Sequence, residues 1–391
     1  MIDELGLAYE DGDRGRHRRS AESPRRRGRT VIAAVVAVLL LAGLGGAAYW
    51  GLDRALGFFS APDYAGGGAD EVVVEVRDGD TLRQIGVTLV KADVVKSDEA
   101  FVEAAEDNAR SENIQPGFYT LRRQMRAKDA VALLVNLDNR VVKGVAVREG
   151  LSVVQTYQVL SKATGIPVAK FQAAGKDPKK LGVPDFWFTR TDKTKARPSL
   201  EGFLFPKTYE FPPNATAESI LRAMVAQFLQ EAEAIDFVTT VEKERGGISP
   251  YEALVVASLA QVEAGVPGDL GKVARVAYNR AYGGSFPCGC LEMDVTVNYW
   301  LELNGKPTKA SKDMTVAELD DPRNPYNRKL RGLPPSPIDN PGAAALQAAM
   351  SPPVGDWLYF VAIDKKGNSA FATTLAEHEK NQATARANGV L

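Results

Sequence analysis

Apolar residues follow three patterns along this chain. From Val31 to Trp50 they run almost unbroken and without charge. From residue 71 they alternate in short runs, first Val72, Val74 and Val76, later Val141, Val145 and Val147. Alternation with a period of two predicts strands. Each run meets an acid-Gly turn, Asp78-Gly79 in one copy and Glu149-Gly150 in the other, and then Thr81 or Ser152, residue types that cap helices. The first copy continues into helices over Leu82 to Leu89 and Asp98 to Asn108, and Gly117 to Leu121 reads as a returning strand. Helical spacing governs much of the later chain, over Ala217 to Asp236, Ile248 to Gly265, Leu270 to Ala281 and from Leu375 onward. Leu358 to Ala362 predicts a buried strand, with Phe371 to Thr374 as its partner.

Ile248 to Gly265, ISPYEALVVASLAQVEAG, organises the rest. Ser249 as N-cap, Pro250 at the first helical position and Glu252 at the third give a start with a capping box. Gly265 and Pro267 give the stop. Val256 and Leu259 mark an inward face, and Glu263, seven and four residues further on, projects from it. In the last turn the helix's carbonyl end disfavours a negative charge, as burial does, so both raise the Glu263 pKa toward that of a general acid. A surface glutamate at a frayed helix end is the plain alternative. Arg280, on the inner face of the following helix with Val273, Val276 and Ala277, either holds an anionic group or pairs with Glu263. Pairing would lower the Glu263 pKa.

Composition changes the picture at the N-terminus. The net charge of −1, from 48 basic and 49 acidic residues, argues against a nucleic-acid partner for the whole molecule. Eight arginines between Arg14 and Arg29 nonetheless crowd the segment ahead of the apolar run. About 20 apolar residues cross a bilayer as a helix. Basic residues on the N-terminal side place that end in the cytoplasm. A cleaved signal peptide is the rival, but the apolar stretch exceeds a usual signal core. Ser60 to Asp70 is a flexible spacer. Cys288 and Cys290 are too few for a zinc site, and a bridge across one residue is strained. No nucleotide-binding fingerprint or Ser/His/Asp set is present, and no cofactor or metal is expected.

The strand-helix-helix-strand order opening on Asp78-Gly79-Asp80-Thr81-Leu82 resembles a LysM-type module, which implies binding of N-acetylglucosamine-containing glycan; a packing module with no ligand is the other reading. Ser199 to Tyr209 is a compact aromatic turn in which Gly202 permits a tight backbone and Pro206 ends a short strand. The prolines of Gly332 to Ile338 make a rigid loop, a good ligand wall. In order, Glu201-Gly202-Phe203-Leu204-Phe205-Pro206, Ala257-Ser258-Leu259-Ala260-Gln261-Val262-Glu263, Tyr278-Asn279-Arg280, Asp294-Val295-Thr296-Val297, Tyr326-Asn327, Gly332-Leu333-Pro334-Pro335 and Phe371-Ala372-Thr373-Thr374 with Glu377-His378 resemble the endolytic murein transglycosylases of the YceG type. Many members read A-S-I-x-E-K-E, with two acids; here Gln261 stands at the first and Glu263 at the second.

The resemblance implies an α+β protein with a cytoplasmic Arg-rich tail (1–30), a single transmembrane helix (31–51), a linker (52–70), a small LysM-like module (71–140) and a larger α+β catalytic domain (141–391) outside the membrane. It also implies a lyase acting on peptidoglycan glycan strands, working with a peptidoglycan synthase. Glu263 would be its single acid/base, with Arg280, Asp294, Tyr326, Asn327, Gly332 and Pro334 holding the sugars. Two other readings are open: an inactive glycan-binding scaffold with Gln261 as its mark, and a hydrolase with Asp294 as its second carboxylate.

Overall fold

The computed structural model describes residues 61–141 and 144–391, and ahead of them only 38, 39 and 41–43. The arginine run and nearly all of the apolar stretch lie outside the described residues. Among those described, no helix is long and apolar enough to cross a membrane.

Two hydrophobic cores divide the chain. The smaller is built on strands β1 (Glu71–Val76) and β2 (Gly117–Arg122), paired antiparallel from Glu71 opposite Arg122 to Val76 opposite Gly117. Helices α1 (Leu82–Lys91) and α2 (Asp98–Glu106) lie between the strands in sequence, and α3 (Ala127–Leu134) follows them. Val74, Val76, Leu89, Phe101, Tyr119 and Leu134 fill the space they enclose. The strand-helix-helix-strand order read from the sequence is the order found. Arg140 joins this unit to the next: its guanidinium bonds the Pro116 carbonyl and pairs with Glu210.

The second copy of the motif keeps its cap and shortens its strand. Ser152 caps α4 (Val153–Thr164) in a capping box with Gln155, but β3 is only Val145–Ala146, because its partner β4 offers only Thr208–Tyr209. Pro206 therefore precedes a strand rather than ending one. Helices α5 (Val168–Ala174), α6 (Ala217–Ala234) and α7 (Phe237–Glu244) surround an aromatic cluster of Trp187, Phe203, Phe228 and Phe237. The aromatics at Phe203 and Phe205 are core, not cleft.

At the centre lies α8 (Pro250–Glu263), with Ser249 as N-cap, Pro250 at the first position and Glu252 closing the capping box, as the sequence predicts. The single inward face does not survive. Every residue from Pro250 to Ala260 is buried, because α9 (Leu270–Tyr282), α12 (Ala343–Met350) and α7 pack around the helix. Each fully buried Leu or Val there contributes about 1.5–3 kcal/mol of apolar transfer. Its carboxyl end alone leaves the core. Two short helices, α10 (Val295–Leu303) and α11 (Val316–Leu319), follow α9 and precede α12.

The chain closes with a hairpin of β5 (Tyr359–Ala362) and β6 (Ser369–Ala372) and the helix α13 (Leu375–Ala387), capped by Thr374 and Glu377. The hairpin is half-buried rather than buried, since α13 covers it while the opposite side borders a cleft. Its turn touches the end of α8. A Cβ on Gly265 would fall 2.4 Å from the Gly367 carbonyl oxygen, and Gly367 has φ +89°, which glycine adopts without strain. The Ser369 N–H donates to Asp269 at 2.8 Å and fixes the same junction.

Candidate active site

Where α8 emerges, a cleft of about 530 Å3 opens, lined by Glu263, Arg280, Asp294, Asn298, Tyr359 and His378 among others. Glu263 is half-buried in its wall, and neither a hydrogen bond nor an ion pair occupies its carboxyl among the described residues. Burial pushes its pKa up to about 7; the charge of Asp294 adds to the rise and that of Arg280 opposes it. At neutral pH such a group is protonated about half the time and can both give and take a proton.

The pairing of Arg280 with Glu263 does not form. The Arg280 Nε donates to the Leu358 carbonyl at 2.6 Å and another guanidinium nitrogen to the Leu291 carbonyl. Its plane lies over the Phe286 ring, 4.4 Å from the centroid. Arg280 thus fastens the hairpin to the segment before α10, and its charge reaches Glu263 only through space. Asp294 stands at the N-cap of α10 and pairs with Arg328 at 2.9 Å. The Arg328 carbonyl also accepts the Glu292 N–H at 2.9 Å. Glu292 holds a left-handed backbone (φ 50°), uncommon for a residue with a Cβ.

Arg328 is also a divider. On its far side Tyr326, Asn327, Gly332 and Pro334 line a separate cavity of about 360 Å3, which Arg328 shares with the cleft. The structure thus brings Glu263, Arg280 and Asp294 together and sets the other four apart. Tyr326 is 2% exposed, its hydroxyl hydrogen-bonded to Ser336 at 2.7 Å and its ring edge-on to Tyr299. Asn327 closes its own turn, donating to the Asp321 carbonyl and accepting the Lys329 N–H. These residues line the neighbouring cavity.

Cys288 and Cys290 form a disulfide, Cα to Cα 5.0 Å, at the start of the segment carrying Glu292 and Asp294. With Glu292 they make the one set among the described residues whose ligand atoms could surround a metal ion, but the sulfurs are bonded to each other.

A family model described as YceG-like covers residues 74–384. The chain belongs to the YceG-like family. An endolytic murein transglycosylase of Bacillus subtilis (strain 168) is 31% identical over 317 residues, 79% of this chain and 83% of that protein. One from Streptococcus pneumoniae serotype 2 is 26% identical over 337 residues, 80% of this chain but only 58% of that protein. The crystal structure of a YceG-like protein from Listeria monocytogenes superposes with a TM-score of 0.51 at 27% identity, over 80% of this chain and 99% of that one.

Within this YceG-like framework two residues escaped the sequence reading as site groups. His378 lines the cleft and stacks on Tyr359, centroids 5.2 Å apart; burial and the Arg280 charge hold its pKa below the usual value. Its Nδ1 is buried without a partner. Only its place in the motif Glu377-His378 marked it. Glu201 is 1% exposed and pushed by burial up to about 8. It accepts the Tyr299 hydroxyl and the Val153 N–H, each at 2.8 Å, and so ties α10 to α4 behind the cleft. Gln261, two residues before Glu263 and therefore about 200° around the helix, accepts the Gly342 N–H at 2.9 Å. It serves the fold on another side of α8 and leaves Glu263 alone at the cleft.

Proposed function

We propose that this chain is an endolytic lytic transglycosylase that cuts the bond between N-acetylmuramic acid and N-acetylglucosamine inside peptidoglycan strands. The observation that carries the reading is the Glu263 carboxyl, unpartnered in the cleft with a pKa of about 7. An ordinary glycosidase uses two carboxyls. Here the muramic C6 hydroxyl is the nucleophile: Glu263 donates its proton to the glycosidic oxygen as the C1–O bond breaks. It then accepts the hydroxyl proton as O6 bonds to C1. The acid is regenerated, no water is consumed, and the new end is 1,6-anhydro. Asp294 and Arg280 shape the field in which Glu263 titrates and, with His378, form the cleft wall.

The relatives' names support the substrate, and the emptiness of Glu263's hydrogen-bonding valences supports the role. The arginine run and the apolar Val31 to Trp50 support a single-pass anchor with its N-terminus in the cytoplasm and the cleft outside, where nascent strands and their synthase are within reach. The unit from β1 to β2 would hold glycan as LysM modules do. Mass analysis of the ends released from purified strands tests the central claim. Anhydro ends are expected; reducing ends would mean hydrolysis with Asp294 as second carboxyl, and intact strands a scaffold.

A further inference from the structure

A second cavity of about 210 Å3 lies beside the cleft, walled by Gly150, Gln155, Val262, Tyr299, Glu302 and Asp339. Val295 and Asn298 border both spaces, so cleft and cavity share a wall. Asp339 is the anomaly within it: 1% exposed, with neither carboxyl oxygen hydrogen-bonded. Buried polar groups are nearly always partnered. The segment presenting it is fixed on both sides. The Ile338 N–H donates to Ser258 at 3.1 Å, and the Gly342 N–H to Gln261 at 2.9 Å. Asn340 accepts the Leu204 N–H at 2.8 Å and donates to the Leu151 carbonyl at 2.9 Å. Its neighbours are anchored, and Asp339 alone makes no bond.

Three further acids lie nearby, Glu201 behind the wall, Glu302 on α10, and Glu149, packed against Gly342, while the charge of Arg197 reaches Tyr299 from outside the cavity. Among the described residues, no lysine or arginine lines the cavity. The Tyr299 hydroxyl is committed to Glu201, the Gln155 side-chain oxygen and the Ser152 hydroxyl oxygen to their capping box, and the Asn298 amide to Lys309 on both its atoms. Thr308 contributes a hydroxyl, but an exposed one. The buried polar atoms left without a partner among the described residues of the cavity are the two Asp339 carboxyl oxygens, which a ligand rich in donors and positive in charge would satisfy.

We propose that this cavity is a binding site for a primary ammonium group on the glycan strand, with Asp339 as its counter-charge. Two sources share that chemistry: a sugar that has lost its N-acetyl group, and the side-chain amine of a diamino acid on a peptide stem. Burial, with the charge of Glu201 adding, holds Asp339 well above the usual carboxylate range. Both favour the protonated carboxyl, an entering ammonium favours the carboxylate, and binding therefore releases protons to solvent.

The identity of the strand rests on the proposed function; the ammonium preference does not. Calorimetry on the full-length chain carrying Glu263→Gln, which cannot cut its ligand, separates the two. The probes are a glucosamine tetramer, its fully N-acetylated counterpart, and a stem peptide ending in lysine. One amine probe should bind at least about tenfold tighter than the acetylated tetramer, with proton release read from the dependence on the ionisation enthalpy of the buffer. Asp339→Asn should abolish both the preference and the release. It should leave the melting temperature unchanged or higher, since it removes a buried acid without partners; Asp339→Ala repeats the test should Asn fold poorly. A response to the tetramer assigns the sugar, and a response to the peptide assigns the stem. Equal binding of free and acetylated probes, or proton release that persists in Asp339→Asn, overturns the proposal. A parent chain that yields no anhydro ends would refute the transglycosylase reading and leave this result standing.

Discussion

One helix carries two acids, one at each end, and they differ in every respect that matters to chemistry. Glu252, in the first turn of α8, is fully buried, and five donors surround it. One oxygen accepts the Ser249 N–H at 2.8 Å and both the hydroxyl and the N–H of Thr191, at 2.7 and 3.2 Å. The other takes the Asp192 N–H at 3.1 Å and the Tyr282 hydroxyl at 3.0 Å. Burial alone would raise its pKa, but those bonds outweigh it and hold the carboxyl below its ordinary value. Glu263, in the last turn, is less buried and has none. Its pKa rises to about 7. Burial therefore does not decide which way the pKa of an acid moves; the supply of donors does. The helix adds to the contrast, its amide end favouring the charge of Glu252 and its carbonyl end opposing that of Glu263.

The comparison breaks most visibly at Glu263. Glu263→Gln should lower cleavage by about 10² to 10⁴ or more while leaving the melting temperature near that of the parent, because no ion pair is lost. Unchanged turnover with a lowered melting point would make Glu263 structural. Glu252→Gln should do the reverse. Glutamine's amide nitrogen cannot accept the donors clustered on one oxygen, and leaving them unpaired costs about 1–3 kcal/mol for a buried group. A urea midpoint that did not move would contradict the assignment.

The two acids should also respond to pH in opposite senses. The Glu263 pKa is raised, and the proton is needed for the first step, so kcat/KM should fall as pH rises through about 7. An alkaline limb starting only above pH 9 would assign it to another group. Burial of the raised Glu263 favours its neutral form, so its contribution to stability is complete below the unfolded value and is lost as pH climbs through 7. The Glu252 pKa is lowered, so its contribution is present above the unfolded value and is lost as pH falls through the folded one. The melting temperature of Glu252→Gln should accordingly depend less on pH at the acid end than that of the parent.

The smallest effect sharpens the field around Glu263. Because Asp294 raises the Glu263 pKa, Asp294→Asn should move the alkaline limb of the rate profile downward, lowering the relative rate at pH 8 by a factor of about 2 to 10. A limb that stayed in place would show that Asp294 is not coupled to the acid.

The start of α8, its length and the place of Glu263 in its last turn were legible because they are local: caps, proline and helical spacing fall within one stretch of sequence. The partners of Glu252 were not. Thr191 lies 61 positions away and Tyr282 30 away, and no periodicity joins them. The same limit explains the divided site. Tyr326, Asn327, Gly332 and Pro334 share a proline-rich loop with Arg328, and only the fold shows that this arginine places them in a different cavity from Glu263. Asp339 carried no sequence signal at all, since an acid in a loop is ordinary until its burial is known. The all-round burial of α8 likewise depends on how three other helices pack on it, of which α12 begins at Ala343, about 80 residues beyond Glu263.

The contact between Gly265 and Gly367 makes the hairpin a shutter indexed to the helix it closes on. Backbone meets backbone there, with no side chain to flex, so the wall carrying Tyr359 and Phe360 is set by the same peptide planes that end the turn bearing Glu263. One spacing on that side of the opening is thus set by main-chain thickness, and a methyl group on either glycine would act there as a shim between hairpin and helix.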